Sequence, residues 1–393
     1  MTLKRSPHSY LSETVANLKP SGIRRFFDLA SQMENVISLG VGEPDFVTPW
    51  NVIEASYHSL EQGHTAYTAN AGLPELREEI STYLRTQFHI SYSSQDQLIV
   101  TVGASQGIDL ALRAIVNPGD EVIIVGPTFV AYESAVLLAG GIPVTIQTCP
   151  EDQFKLTPVQ LEKAITSKTK AVILCNPNNP TGTFLNKKEL TAIAEVIKQH
   201  DLLILSDEIY AELTYDEPYT SVASLEGMKE HTLLISGFSK AFAMTGWRLG
   251  YAAGPTDIIQ AMIKIHQYTM MCAPTMAQYA AVEALKNGEN SVREMKISYK
   301  QRRHFIVQAF DNMGLECPMP GGAFYAFPSI RSTGFTSEEF AEALLMEEQV
   351  AVVPGSVFGQ NGEGFIRCSY ATSLKRLNEA TKRMKRFVEK HAN

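Results

Sequence analysis

Cysteine is scarce in this chain: five in 393 residues (Cys149, Cys175, Cys272, Cys317, Cys368), odd in number, scattered, and with no CxxC pair. That argues against a disulfide framework and for a reducing cytoplasm. No apolar run approaches the ~20 residues of a membrane helix. The opening stretch MTLKRSPHSYLSETVANLKPSG carries basic residues with no apolar segment behind them, so neither a span nor a signal peptide is expected. Positive charge is also in short supply, 34 Lys and Arg against 42 Asp and Glu, a formal balance of −8 with no basic run. This disfavours a nucleic-acid surface. None of the nine histidines falls into HExxH or a comparable metal spacing, so no metal is expected. GASQG and GQNGEG both miss the G-x-G-x-x-G pattern of dinucleotide sites.

What is present is ordinary globular material, 45% hydrophobic and 19% charged, enough for two or three domains. The middle of the chain alternates between two periodicities. Apolar runs at 97–102, 120–126, 170–176, 202–210 and 231–240 read as buried strands. Between them, 103–116 places Ile108, Leu112 and Ile115 on one helical face, and 187–200 places Leu190, Ile193, Ala194 and Ile197 on another. Strand–helix–strand order with continuous apolar strands predicts an α/β fold, a doubly wound, mostly parallel sheet covered on both faces. The ends read differently. Residues 1–46 look like a short helix and an irregular arm. From about 286 onward, charged amphipathic helices alternate with short strands (GAFYAFP, AVVPG, GFIRCSY), which predicts a smaller α+β domain joined by a long helix.

In open α/β sheets, ligands bind beyond the carboxyl ends of the strands. There the sequence places Gly103-Ala104-Ser105-Gln106 opening a helix, Asn176-Pro177-Asn178-Asn179, Asp207-Glu208-Ile209-Tyr210, and Gly237-Phe238-Ser239-Lys240. Small residues at a helix N-terminus free backbone N–H groups for an anion. A carboxylate at a buried strand end needs a cation or donors. A desolvated lysine forms Schiff bases. Arg248, between two glycines in TGWRLG, suits a bidentate oxyanion. An aldehyde with a basic ring nitrogen, a phenolic oxygen and a phosphate uses all of these groups, and pyridoxal phosphate is such a cofactor.

At this point the sequence resembles the class I aminotransferases, the fold-type-I pyridoxal-phosphate enzymes. The motifs run in order through ISLGVGEPDFVTP (37–49), HTAYTANAGLPELREEI (64–80), VTVGASQ, PTFVAY, NPNNPTG, LSDEIY, SGFSKAFAMTGWRLG, GGAFYAFP, VAVVPGSVFG and GEGFIRCSYAT (362–372). The phrasing is similar to a bacterial and archaeal branch of aromatic or alanine/aspartate aminotransferases. The resemblance implies that pyridoxal 5'-phosphate is bound as a Schiff base by Lys240, which also shuttles the proton in ping-pong transamination. It implies Asp207 on the ring nitrogen, Tyr210 and Asn179 on the phenolic oxygen, and Phe129 stacked on the ring. Ala104, Ser105, Ser239 and Arg248 would cradle the phosphate. Tyr67 would reach the neighbouring subunit's cofactor in a homodimer with shared active sites. Arg367, with Asn179 and the Gly42 backbone, would take the substrate carboxylate.

The expected substrates are amino acids and 2-oxo acids. The Met-rich segment 266–275 and the arm residues Ser21-Gly22-Ile23 point to aromatic or aliphatic L-amino acid donors, with 2-oxoglutarate as acceptor. The division implied is 1–46 as arm and part of the small domain, 47–285 as the cofactor domain, and 286–393 as the small domain, the arm closing over bound substrate. Two other readings stand beside this one: a carbon–sulfur lyase on the same scaffold, and more remotely an aminotransferase-like regulatory protein. Lys240, Arg248 and Arg367 are the basic residues expected inside.

Overall fold

A computed structural model describes residues 10–18, 20, 22 and 33–391. Ser21 and Ile23 of the arm lie outside the described residues. Twelve strands appear among the described residues: β1 (Ile37–Ser38), β2 (Leu98–Thr101), β3 (Glu121–Gly126), β4 (Ile142–Gln147), β5 (Thr169–Cys175), β6 (Leu203–Asp207), β7 (Thr232–Gly237), β8 (Gly250–Ala253), β9 (Tyr325–Ala326), β10 (Val350–Ala351), β11 (Val353–Pro354) and β12 (Ile366–Ser369). Seven of them form one sheet in the order β2-β8-β7-β6-β5-β3-β4. The β4-β3-β5-β6-β7 block is parallel, and β8 alone runs against both of its neighbours.

The physical cause is the one the apolar runs imply. β2 and β7 are buried at every position, and β5 and β6 nearly so, because helices cover both faces. One cover is the helix Lys187–Gln199, started by an Asn186/Glu189 capping box and burying Leu190, Ile193, Ala194, Val196 and Ile197. Another is Gly103–Ile115, which buries Ile108 and Leu112 as expected while Ile115 stays at the edge of that face.

Two strands carry no signal of the kind used above. β8 reads GYAA, too small and too short to stand out, yet it is fully buried because Gly237 and Gly250 let two backbones meet where any Cβ would collide. β4 alternates weakly at the sheet edge. No helix among the described residues is long and apolar enough to cross a membrane.

The C-terminal part contains a three-stranded antiparallel sheet, β11-β12-β9, and the helices Ser337–Glu348 and Leu374–His391, which pack against each other. β1 pairs in parallel with β10, Ile37 opposite Val350, so residues just after the arm are stitched to this late part of the chain. The long helix Glu289–Asp311 connects the two regions and buries Met295, Tyr299, Ile306 and Phe310 in a core shared with Tyr325, Phe340 and Phe387.

Candidate active site

All four sheet-end motifs converge on one cavity of about 260 Å³. β2 delivers Ala104 and Ser105, β5 leads to Asn179, β6 to Asp207 and Tyr210, and β7 to Ser239 and Lys240. Phe129, Arg248, Gly42 and Arg367 complete that part of the lining. Every proposed site residue except Tyr67 therefore lines this cavity, with Arg367 supplied by β12 and Gly42 by the loop after β1. Tyr67 lies on a separate loop, 76% exposed, held by Thr275 Oγ1 donating to Ala66 O and Asn70 Nδ2 donating to Met271 O, both at 2.8 Å.

At the end of β6, Asp207 is buried, with no salt-bridge partner among the described residues. Its Oδ2 accepts from the Tyr132 hydroxyl at 2.6 Å and its Oδ1 from the Ile209 N–H at 3.2 Å. Burial raises its pKa, with the Tyr132 hydrogen bond pulling the other way. Across the cavity Lys240 Nζ donates to Gly42 O at 2.6 Å. Burial lowers its pKa to about 8, while Glu43 works in the opposite direction and Arg367 and Arg248 reinforce the lowering.

Arg367 is 3% exposed, donating to Asn179 Oδ1 at 2.8 Å and to Gly40 O at 2.6 Å, with its guanidinium 4.6 Å from the Tyr325 ring centroid. Its Nε is buried with no partner, and no carboxylate among the described residues pairs with it. A buried cation held only by neutral acceptors is set up for an incoming anion.

At the remaining end of the cavity, no side chain caps the N-terminus of the helix Gly103–Ile115, so the first-turn N–H groups at Ala104 and Ser105 are free to take an anion. Gly103 sits at φ +75°, and a Cβ there would come 2.7 Å from the Arg248 guanidinium. Arg248 itself takes the left-handed conformation, φ 52°, and donates to Thr245 O at 3.2 Å. It is exposed at the cavity rather than enclosed, a correction to the expectation that it lies inside. The basic side chains that are enclosed include Arg302 and Arg303. These were not anticipated, because their burial depends on ion pairs with the distant Asp45 and Asp216.

Tyr210 and Asn179 are both at the cavity with partners of their own. The Tyr210 hydroxyl pairs with the Tyr325 hydroxyl at 2.9 Å, and Asn179 Oδ1 is taken by Arg367. Sequence reasoning missed Tyr132 and Tyr325. Tyr132 sits three residues after Phe129 in PTFVAY, one helical turn away, and Tyr325 lies in the quoted GGAFYAFP, so position relative to those motifs was the available signal.

A buried acid without a cation, an enclosed amine of lowered pKa, and an uncapped helix N-terminus beside an arginine make up the chemistry of a pyridoxal-phosphate enzyme. The donor set fits the cofactor group by group: carboxylate for ring nitrogen, amine for aldehyde, N–H groups and guanidinium for phosphate. Residues 34–384 match the family described as "Aminotransferase class I and II"; the chain belongs to that family and is a pyridoxal-phosphate-dependent aminotransferase. It is 65% identical over 382 residues, 97% of this chain and 99% of the relative, to a Bacillus subtilis (strain 168) protein named "Putative aminotransferase YugH". Among solved structures, the aromatic aminotransferase from Pyrococcus horikoshii OT3 superposes with a TM-score of 0.89 at 46% identity, over 93% of this chain and 99% of that one. The aspartate aminotransferase from Thermus thermophilus with maleate superposes with a TM-score of 0.92 at 39% identity, over 96% and 99%.

Proposed function

We propose that this aminotransferase takes its amino group from an aromatic or large aliphatic L-amino acid and passes it to a 2-oxo acid such as 2-oxoglutarate, as a homodimer in the cytoplasm. The observation that carries the donor preference is the count of cations in the cavity. Its basic lining residues are Lys240, Arg248 and Arg367. Each has work already: the amine, the anion turn, and the substrate carboxylate. Among the described residues the lining supplies no fourth cation for a distal carboxylate, so a dicarboxylate acceptor would need a group from outside this lining, whereas Ile108, Phe129, Ile209 and Tyr325 offer apolar and aromatic surface to the donor side chain.

When bound, pyridoxal phosphate supplies the electron sink that makes the substrate α-proton acidic. The residues do the rest. Arg367, steadied by Asn179, orients the substrate through its carboxylate. Asp207, held by Tyr132, would set a carboxylate against the ring nitrogen. Lys240 Nζ, free of strong ion pairs, takes the proton from the substrate α-carbon and returns it on the other side of the transfer. Tyr210 and Asn179 would serve the phenolic oxygen, Phe129 would cover the ring, and Ala104, Ser105, Ser239 and Arg248 would hold the phosphate. Gly42 lends its carbonyl to Lys240 and its backbone to the substrate side. We further assign 47–285 to cofactor binding and 1–46 with 286–393 to the small domain, a division supported by the β1–β10 pairing. The five cysteines are all free thiols, in keeping with a reducing compartment.

A screen of amino donors against 2-oxoglutarate, pyruvate and oxaloacetate tests this reading. Phenylalanine, tyrosine or leucine is expected to give the highest kcat/KM. Exclusive use of aspartate would overturn the apolar-pocket argument.

A further inference from the structure

The two turns that carry Tyr210 and Lys240 have a second side. Tyr210 and Lys240 line the cofactor cavity, while Ala211, Glu212 and Phe242, one or two residues further on, line a separate cavity of about 570 Å³. Its opposite wall is the connecting helix Glu289–Asp311, which brings Lys296 to it. Aromatic rings surround the space: Tyr83 and Phe88 are 5.7 Å apart, Phe88 and Tyr219 5.5 Å, and Tyr83 and Phe242 6.2 Å between centroids.

Among these rings stands a half-satisfied carboxyl group. Glu212 Oε1 accepts the Tyr83 hydroxyl at 2.5 Å, but Oε2 is buried and has no hydrogen-bond partner among the described residues. Lys296 lines the same cavity, and no carboxylate among the described residues lies within 4.0 Å of its ammonium; burial lowers its pKa while Glu212 opposes that. Burial likewise raises the Glu212 pKa. A buried oxygen left without a donor costs free energy that a ligand donor recovers. Of the other charged residues lining the cavity, Lys286, Glu289 and Arg293 are exposed and Glu79 pairs with Lys286; Glu212 and Lys296, half-buried and of opposite charge, are together complementary to a small zwitterion rather than to a simple ion.

We propose that this cavity binds a free L-α-amino acid with an aromatic or large apolar side chain, its ammonium on Glu212 Oε2, its carboxylate on Lys296, and its side chain among Tyr83, Phe88, Tyr219 and Phe242. Such a ligand bridges the turns behind Tyr210 and Lys240 to the helix that joins the two parts of the chain. Its binding therefore couples amino-acid concentration to the geometry of the cofactor site. The inference is independent of which donor the active site prefers.

The test uses holoenzyme reduced with borohydride, which fixes the cofactor on Lys240, in an Arg367→Ala background that removes carboxylate binding at the active site. Titration calorimetry with L-phenylalanine is expected to show one saturable site per chain in this protein. Glu212→Gln and Lys296→Met are each expected to weaken it roughly 10- to 100-fold, the size of a lost hydrogen bond to a charged group. Lys296 is on a helix surface, so Lys296→Met keeps the test valid should Glu212→Gln fail to fold. Absence of a site in the reduced Arg367→Ala protein, or binding that Lys296→Met leaves intact, overturns the proposal.

Discussion

At the scale of the residue, the site is governed by what burial does to two charges. Lys240, with its pKa lowered to about 8 chiefly by desolvation, holds about a tenth of its amine unprotonated at pH 7, far more than an ordinary lysine does. The amine is the base only when unprotonated, so the rate of proton abstraction rises with pH up to about 8 and flattens above it. Single-turnover rates with L-phenylalanine between pH 6 and 10 read this limb directly. Lys240→Ala is expected to lower those rates by on the order of a thousandfold or more, with cofactor still bound through Asp207 and the phosphate site. Tyr132 acts one step back, as a positioning residue. Its hydroxyl at 2.6 Å from Asp207 Oδ2 favours the ionised carboxylate against the burial that opposes it. In Tyr132→Phe the Asp207 pKa moves further up, so the acidic limb of cofactor binding moves to higher pH. Cofactor affinity then falls about 10- to 100-fold, measured by fluorescence titration of the apoprotein.

At the scale of the element, the phosphate end depends on backbones that only glycine permits to approach. A Cβ on Gly250 would lie 2.5 Å from Ala104 N and 2.9 Å from Ser236 O, both backbone atoms that cannot rotate away. Gly250→Ala is therefore expected to push β8 off the start of the helix Gly103–Ile115. The cost is about 1–3 kcal/mol of stability, with weakened cofactor retention, read by thermal melts of apo- and holoprotein.

The same junction marks what the sequence could and could not say. β5, β6 and β7 were legible because strands buried on both faces need continuous apolar residues. The motifs past their ends were legible because ligands collect there. β8 was not, since GYAA earns its burial from close packing against Gly237 and Gly103, which leaves no periodic trace. Tyr132 escaped for a related reason. Its partner Asp207 is 75 residues away, so the pairing exists only once the sheet order is known. Arg302 and Arg303 look like any helical surface pair until Asp45 and Asp216 meet them.

At the scale of the whole molecule, several large apolar side chains are left in water, and the proposed homodimer would cover some of them. Val47, Trp50, Tyr67 and Tyr268 are 81%, 67%, 76% and 86% exposed. The Tyr67 loop is tied to the segment that follows Tyr268 through Thr275 and Asn70. Leaving such large apolar groups in water is unfavourable, and a second copy packed over them would remove that cost. Tyr67 is absent from its own chain's cofactor cavity, which supports a role in the partner's site.

The decisive experiment mixes two defective chains. Lys240→Ala lacks the base, and Tyr67→Ala is expected to lose roughly 10- to 100-fold in cofactor affinity, so each alone is nearly inactive at limiting cofactor. In a hybrid dimer, one site combines Lys240 of one chain with Tyr67 of the other and is intact. Reassorting the two proteins in mild denaturant and returning them to buffer is expected to restore activity that neither has alone, in a species of twice the chain mass by sedimentation. If the mixture stays inactive while each protein is a folded dimer, Tyr67 acts within its own chain and the shared-site reading falls.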